Sequence, residues 1–433
     1  MKTHNCGELN AKNANQEVIL AGWVDTLRVS GKIGFLLLRD RTGLVQVFLD
    51  KNLTEKFKDT RRESVVMIKG LVNKRPENQI KKEMKTGDVE IAAKEMELIA
   101  EAEPLPIELD ENSTTALDKR LDYRFLDTRR NKIQAIFKIR STIYKALVNF
   151  YDKEGFTIIN TPKLTTIGLE SGAESFVVNY FDKKVVLAQS PQFYKQMFAN
   201  GGFDRVFEIG PVYRAEKSHT TRHLTEFIGA DFEMGFINDE NDIMDMAEKM
   251  MKYIIEKVKT ERKDELILLN IKLNIPQVIP RISIIELKKI LADKGKKLTL
   301  DDDLDAEAER LIGEYVIKEF GEEFIFVTHY PVKVRPFYHM RSDQKTTRSF
   351  DLLFKGVEVC TGAQREHRLN ILQEQAKEKG VVIPKIYEDI FRYGAIPHGG
   401  IGFGLDRITQ RMLNLDNTRE AVLLPRDVER VTP

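Results

Sequence analysis

From Val18 to about Leu98 the apolar positions fall in short runs separated by polar or turn-forming residues. Val18–Val24, Phe35–Arg39, Leu44–Phe48, Val65–Val72 and Val89–Ala92 read as strands, with Asp40-Arg41-Thr42-Gly43 as a hairpin turn between the second and third. A polar, helix-tolerant stretch from Glu55 to Ser64 separates the third from the fourth. Three strands, a helical connection and two more strands predict a small five-stranded oligonucleotide-binding (OB) barrel, although other small all-β barrels share the pattern.

The period then changes. Glu103-Pro104-Leu105-Pro106 is a stiff break, and the polar segment up to Arg130 reads as a hinge. Ile133, Ile136, Phe137, Ile143, Tyr144, Leu147 and Phe150 recur at helical spacing, and Gly155 follows at a usual capping position. A second helix is expected from Asn241, as its cap, through Ile243, Met246, Met250, Ile254 and Val258. Strands and helices mix from there to Pro433. The predicted class is α+β: a barrel domain over 1–103, a hinge over 104–130, and a larger domain of mixed strands and helices over 131–433.

Composition narrows the function classes. At 433 residues the chain exceeds what one core usually supports. No apolar run approaches the roughly 18–20 residues of a membrane span, and Met1 to Cys6 lacks the apolar segment of a secretory signal. Cys6 and Cys360 are too few for a disulfide framework or a zinc cluster, so a cytoplasmic location is expected. The net charge of +1 is uninformative, but Lys51 to Asp88 holds eleven Lys/Arg against six Asp/Glu. Such a run fits a nucleic-acid face or merely a solvated one.

Two segments carry candidate chemistry. Phe207 to Tyr213 and Glu226 onward read as strands joined by a polar loop, which brings Arg214, Glu216, Arg222, His223 and Glu226 together at its base. Guanidinium groups match phosphate oxygens with paired hydrogen bonds, so this hairpin can hold a triphosphate; by itself it could equally be a charged surface hairpin. Gly399-Gly400-Ile401-Gly402-Phe403-Gly404 is a glycine-rich turn before a helix from Leu405 to Leu413, with Arg407 at its head. There is no Gly-x-x-x-x-Gly-Lys-Ser/Thr loop, so a nucleotide site here is not of the P-loop kind.

Taken together, these segments resemble the class II aminoacyl-tRNA synthetases. Gly155 to Pro162 is similar to the family's first motif, which builds a dimer interface around its proline. Tyr213-Arg214-Ala215-Glu216 with Arg222 to Phe227 is similar to the second, and Gly402 to Arg407 to the third. The barrel matches the aspartate/asparagine/lysine branch. Within it, Ser190 to Gln196, Arg222 to Met234 and Leu424 to Pro433 resemble the aspartyl enzymes of compact archaeal type. Glu170-Ser171-Gly172-Ala173-Glu174 resembles their mobile loop, with Ser171 where relatives often have glycine.

The resemblance implies a catalytic domain built on an antiparallel sheet flanked by helices. It also implies aspartate–tRNA ligase activity in a homodimer, with ATP, L-aspartate and tRNA(Asp) as substrates and Mg²⁺ as cofactor. It places Arg214 and Arg407 as the catalytic cations on the α- and γ-phosphates, Glu216 on the adenine amino group, Arg222 and His223 on the outer phosphates, and Phe227 against the adenine. Asp351 and Glu358, read as lying on one strand, and Thr361 are the implied Mg²⁺ residues; Glu358 also belongs to the ATP set. For aspartate it implies Arg365 and Lys195 facing the side-chain carboxylate, Glu170, Gln192 and Asp231 on the ammonium group, and Thr361 nearby. Phe35 and Gln46 occupy positions similar to the anticodon readers. Relatives that reject tRNA(Asn) can carry a bulky aromatic two residues after the barrel tryptophan, here Trp23. Asp25 stands there instead, which favours tRNA(Asn) as a second acceptor. An asparagine–tRNA ligase, an amidating asparagine synthetase and a non-enzymatic nucleic-acid binder are the rival readings. The barrel argues against the second, and the retained arginines argue against the third.

Overall fold

In the computed structural model, which describes residues 1–166, 175–217 and 220–432, the N-terminal runs close into a barrel. Its strands are β1 (Glu17–Ser30), β2 (Ile33–Asp40), β3 (Gly43–Leu49), β4 (Val65–Lys74) and β5 (Val89–Ala100), in the closed order β1-β2-β3-β5-β4. Alternation sets the inside. Leu36, Leu38, Val45, Val47 and Ile68 have no solvent exposure, so their neighbours Phe35, Leu37, Gln46 and Phe48 belong to the outer face. The connecting helix α1 spans Lys51–Phe57, earlier than expected, because the Asp50 side chain accepts the Leu53 N–H at 2.9 Å and starts it there. A bulge between Val24 and Thr26 in β1 falls at Asp25.

The chain divides into compact units at Met1–Glu108 and Leu109–Pro433. The second unit therefore includes part of the stretch read as a hinge. There α2 (Leu117–Asp122) and α3 (Arg124–Asp127) fold, and the buried Arg124 donates to Asp127 at 2.7 Å and to the Glu420 carbonyl at 2.9 Å. Next, α4 (Asn131–Lys153) carries the predicted apolar stripe, with Ile139, Ile143 and Leu147 fully buried. Tyr144, expected on that stripe, is 40% exposed because it falls one residue off it.

Short strands follow: β6 (Thr157–Ile158), β7 (Leu164–Thr165), β8 (Val177–Tyr180) and β9 (Lys183–Leu187). Helix α5 (Gln192–Phe198) leads to the hairpin β10 (Arg205–Tyr213) and β11 (Glu226–Gly235). Helix α6 (Glu240–Glu261) is capped by Asp239, whose carboxylate accepts the Asn241 N–H at 2.8 Å. Asn241, expected as the cap, instead accepts a hydrogen bond from Arg281 at 2.8 Å. After α7 (Lys263–Leu268) come β12 (Arg281–Ser283), α8 (Ile284–Asp293), α9 (Ala306–Phe320), β13 (Phe324–Thr328), β14 (Ser349–Phe354) and β15 (Glu358–Gln364). The chain closes with α10 (Leu369–Glu378), α11 (Lys385–Arg392), β16 (His398–Phe403) and α12 (Leu405–Met412).

Among the described residues the main sheet has the order β12-β13-β14-β15-β16-β11-β10-β6, antiparallel except at β12–β13 and β10–β6. On one face Phe232, Ile401, Cys360 and Phe350 pack with α4 and α6 in a single core. Their strand neighbours Asp231, Gly402 and Thr361 must then point to the opposite face. No described helix is long and apolar enough to cross a membrane.

Both thiols are buried. Burial, reinforced by Asp40, pushes Cys6 up to about 12, and burial raises Cys360 well above the ordinary thiol value. Since the thiolate is the nucleophile, neither should react with iodoacetamide at mildly alkaline pH in the native protein, and both should react in denaturant. Mass-spectrometric detection of an adduct at either cysteine in folded protein would contradict this burial.

Candidate active site

The face opposite the helices bears a cavity of about 970 Å³. Arg214, Glu216, Arg222, His223, Phe227, Glu358 and Arg407 all line it, which brings together the entire set expected for a nucleotide. The cause is register. Antiparallel pairing of Tyr213 with Glu226 places Arg214 and Phe227 side by side, and the Arg214 guanidinium lies 5.4 Å from the Phe227 ring centre. The Arg214 Nε is buried with no hydrogen-bond partner in the protein, so a donor remains for an incoming acceptor. Arg407 donates to the Glu358 carbonyl at 3.2 Å and lies 3.6 Å from its carboxylate. Burial, followed by the neighbouring Arg407, lowers the His223 pKa, so its imidazole is neutral at pH 7.

The glycine-rich stretch is not a turn. It forms the central strand β16, hydrogen-bonded to β11 on one side and β15 on the other. Glycine is required there because a Cβ on Gly400 would stand 2.1 Å from the Phe232 carbonyl oxygen and 2.3 Å from the Glu233 carboxylate. On the cavity face, a Cβ at Gly402 would meet nothing nearer than Asp231 at 3.6 Å, which leaves room for a flat ligand.

Asp351 and Glu358 do not share one strand. The chain reverses at Lys355 and Gly356, both with positive φ, and puts Asp351 on β14 opposite Thr361 on β15. The signal for this turn was the Lys355-Gly356 step, a charged residue followed by glycine between apolar residues. Thr361 donates to the Glu358 carboxylate at 3.0 Å. Although burial opposes it, Arg407 and then Arg335 hold the Glu358 carboxyl below its ordinary range. Arg335 binds one Asp351 oxygen at 2.6 Å, and the other is buried without a partner. Among the described residues no group of three or more His, Cys, Asp or Glu could hold a metal. Two carboxylates, one with an orphaned oxygen, and a hydroxyl nevertheless fit Mg²⁺, which takes one or two protein carboxylates and completes its shell with phosphates and water.

At the other end, Gln192, Asp231, Thr361 and Arg365 line the cavity, and Lys195 lies just beneath it. Lys195, 1% exposed, donates to Asp231 at 2.8 Å and to the Ile401 carbonyl at 2.6 Å, with Glu233 at 3.7 Å. Arg365, 2% exposed, donates to Glu233 at 3.0 Å and to the Gly400 carbonyl at 3.0 Å. One further Arg365 nitrogen meets His339 Nε2 at 3.0 Å. Burial and then Arg365 drive the His339 pKa well down, so its ring is neutral and Nε2 accepts. Glu170 lies outside the described residues, as does the whole Glu170–Glu174 loop.

Sequence reasoning missed Glu233, His339, Arg335 and Glu309. Glu233 was findable: two residues past Asp231 on one strand, it shares that residue's side of the sheet. His339 and Arg335 come from an irregular connection between β13 and β14, where periodicity gives no signal. Glu309 comes from α9; it accepts from Arg222 at 3.0 Å, and burial and Glu358 push its carboxyl up to about 7.

On the barrel, Phe35 is half-buried with its ring edge-on to Phe48 at 5.8 Å. Gln46 is 7% exposed; its amide donates to Glu90 and accepts from Lys81 at 2.6 Å. Asp25 accepts from Arg39 at 3.1 Å.

The family model for class II tRNA synthetases (D, K and N) matches residues 116–428, and an OB-fold nucleic acid binding domain model matches 18–99. The chain is 41% identical to the aspartate–tRNA(Asp) ligase of Pyrococcus abyssi, covering all of both chains. It is 42% identical to the aspartate–tRNA(Asp/Asn) ligase of Aeropyrum pernix over 96% of this chain and 95% of that one. Among solved structures, the asparaginyl-tRNA synthetase of Pyrococcus horikoshii complexed with asparaginyl-adenylate superposes with a TM-score of 0.90 at 34% identity, covering 99% of both chains.

Substituting Gly400→Ala should destabilise the protein by about 1–3 kcal/mol, since strand β16 must move away from β11. An unchanged urea midpoint would mean that the strands are not this close.

Proposed function

The chain belongs to the class II tRNA synthetases of the D, K and N group, and from that premise we propose that it is an aspartate–tRNA ligase. The observation that carries the substrate is the buried pair Lys195 and Arg365, balanced by Asp231 and Glu233, beside a cavity edged with arginines. An amino acid seated here presents its ammonium group to Asp231 and Gln192 and its side-chain carboxylate to Arg365 and Lys195. Asparagine, with a neutral amide, forgoes the charge-assisted hydrogen bonds that a carboxylate makes with these two cations.

Chemistry then needs little proton transfer. An α-carboxylate oxygen of aspartate attacks the α-phosphorus of ATP, and the bond to the bridging oxygen breaks to release pyrophosphate. Arg214 neutralises charge at the α-phosphoryl group, Arg407 with Arg222 and neutral His223 holds the outer phosphates, and Phe227 and Glu216 fix the adenine. Asp351, Glu358 and Thr361 would hold Mg²⁺, which would supply further charge neutralisation when bound. In the second step the 3′-hydroxyl of the terminal adenosine of tRNA attacks the activated carbonyl carbon, AMP leaves, and the hydroxyl proton passes to phosphate or solvent. Positioning and preorganised charge supply most of the acceleration.

The barrel binds the anticodon through its outer face, with Phe35 stacking and Gln46 reading a base edge. We take tRNA(Asp) as the acceptor. With Asp25 held by Arg39 at the bulge and no aromatic there, tRNA(Asn) is a second acceptor. The active form is a homodimer: β6 ends the sheet with Ile158 57% exposed, and Phe181 is 90% exposed, apolar surface of the kind a second copy covers.

The direct assay is aspartate-dependent ATP–pyrophosphate exchange followed by aminoacylation of both tRNA transcripts. Exchange supported by asparagine and not by aspartate would favour the asparaginyl reading. Arg365→Leu should lower kcat/KM for aspartate by at least about a hundredfold and leave ATP binding intact, because the side-chain carboxylate of aspartate loses its guanidinium partner. Wild-type kinetics in that variant would remove Arg365 from the site. Phe35→Ala should reduce tRNA charging about tenfold with exchange unchanged, the scale of one lost base stack. Equal loss in both steps would refute the assignment of the barrel.

A further inference from the structure

We propose that Glu309, which lies outside all three motifs, is a positioning residue for the outer phosphates of ATP. The inference rests on the reading above, in which Arg222 meets those phosphates and Glu358 belongs to the metal site. Glu309 stands in the first turn of α9. That helix is fixed to the sheet: Ala308, Ile312 and Val316 are buried against Ile325, Val327 and Leu353. It also rides directly on the β14–β15 turn, since a Cβ on Gly313 would be 2.7 Å from the Gly356 backbone. The position of the Glu309 carboxylate is therefore set by the core and not by the loop it touches.

A single oxygen of that carboxylate, Oε2, accepts two hydrogen bonds. One comes from Arg222 Nη1 at 3.0 Å and the other from the Glu358 backbone N–H at 3.3 Å. Arg222 belongs to the connection between β10 and β11, and its side chain is only partly buried, 26% exposed. A long cation in such a place has about 2 kcal/mol of rotamer entropy to lose when a ligand orders it. Held by one Nη1 hydrogen, the guanidinium keeps its remaining N–H groups for phosphate oxygens, and much of the ordering is already done before ATP arrives. The same contact fixes the backbone at the start of β15, where Glu358 turns its side chain to the cavity. Glu309 thus couples the phosphate-binding arginine to the metal-binding strand without touching substrate.

The test uses the full-length enzyme in exchange kinetics, with ATP and AMP as paired probes, because AMP has no outer phosphates. Glu309→Ala should raise the KM for ATP about tenfold, equivalent to one charge-assisted hydrogen bond, and leave the KM for aspartate and inhibition by AMP within about twofold. Glu309→Gln keeps an acceptor for the Glu358 amide and should show a smaller rise, about threefold, in the same direction; it carries the test if the alanine variant does not fold. Parallel weakening of ATP and AMP, or no change in either, would overturn the inference. Absence of aspartate-dependent exchange in the wild-type protein would instead overturn the ligase reading itself.

Discussion

Lys195 and Arg365 sit against Asp231 and Glu233 with almost no access to water, at the point where α5, β11, β15 and β16 meet. Taking such charges out of water costs several kcal/mol per ion, and the cost is recovered only if every partner is in place. Here the partners include backbone: Lys195 reaches the Ile401 carbonyl and Arg365 the Gly400 carbonyl, both on β16. The quartet consequently constrains the middle of the sheet as much as it shapes the cavity. Glycine at position 400 belongs to the same constraint, since it admits the Glu233 carboxylate beneath the strand.

From this centre the rest of the site follows by strand geometry. The face of β11, β15 and β16 that turns away from α4 and α6 carries Asp231, Thr361 and Gly402 in a row, and Asp351 extends it across one more strand. Along β11, from Asp231 toward Phe227, the same side of the sheet leads from the quartet to Arg214. The arrangement needs no proton donor of its own. It needs fixed charges, and a neutral His223 and His339 beside arginines keep the positive groups from being supplemented by titrating ones near pH 7.

Much of this was legible in the sequence because its determinants are local. Alternating runs gave the barrel, helical spacing gave α4 and α6, and the segments around Arg214, Arg222, Phe227 and Arg407 carried a family resemblance whose residues the fold brings to one cavity. What stayed hidden depends on distant parts of the chain. A single glycine, Gly356, marks the reversal between Asp351 and Glu358, the strand character of Gly399 to Phe403 follows from its flanking partners, and the start of α6 depends on whether Asp239 or Asn241 caps it. Glu309, Arg335 and His339 reach the site from segments separated from the motifs, so only the fold brings them there. Tyr144 shows the converse, an apolar residue at near-helical spacing that the helix leaves exposed.

The central claim is that a preformed set of buried charges reads a carboxylate side chain. Titration calorimetry with two non-hydrolysable adenylate analogues, the aspartyl and asparaginyl sulfamoyl-adenosines, addresses it without turnover. The account predicts that the aspartyl analogue binds at least about a hundredfold more tightly, a difference of ~2.7 kcal/mol. Equal affinity for the two, or a preference for the asparaginyl analogue, would contradict it.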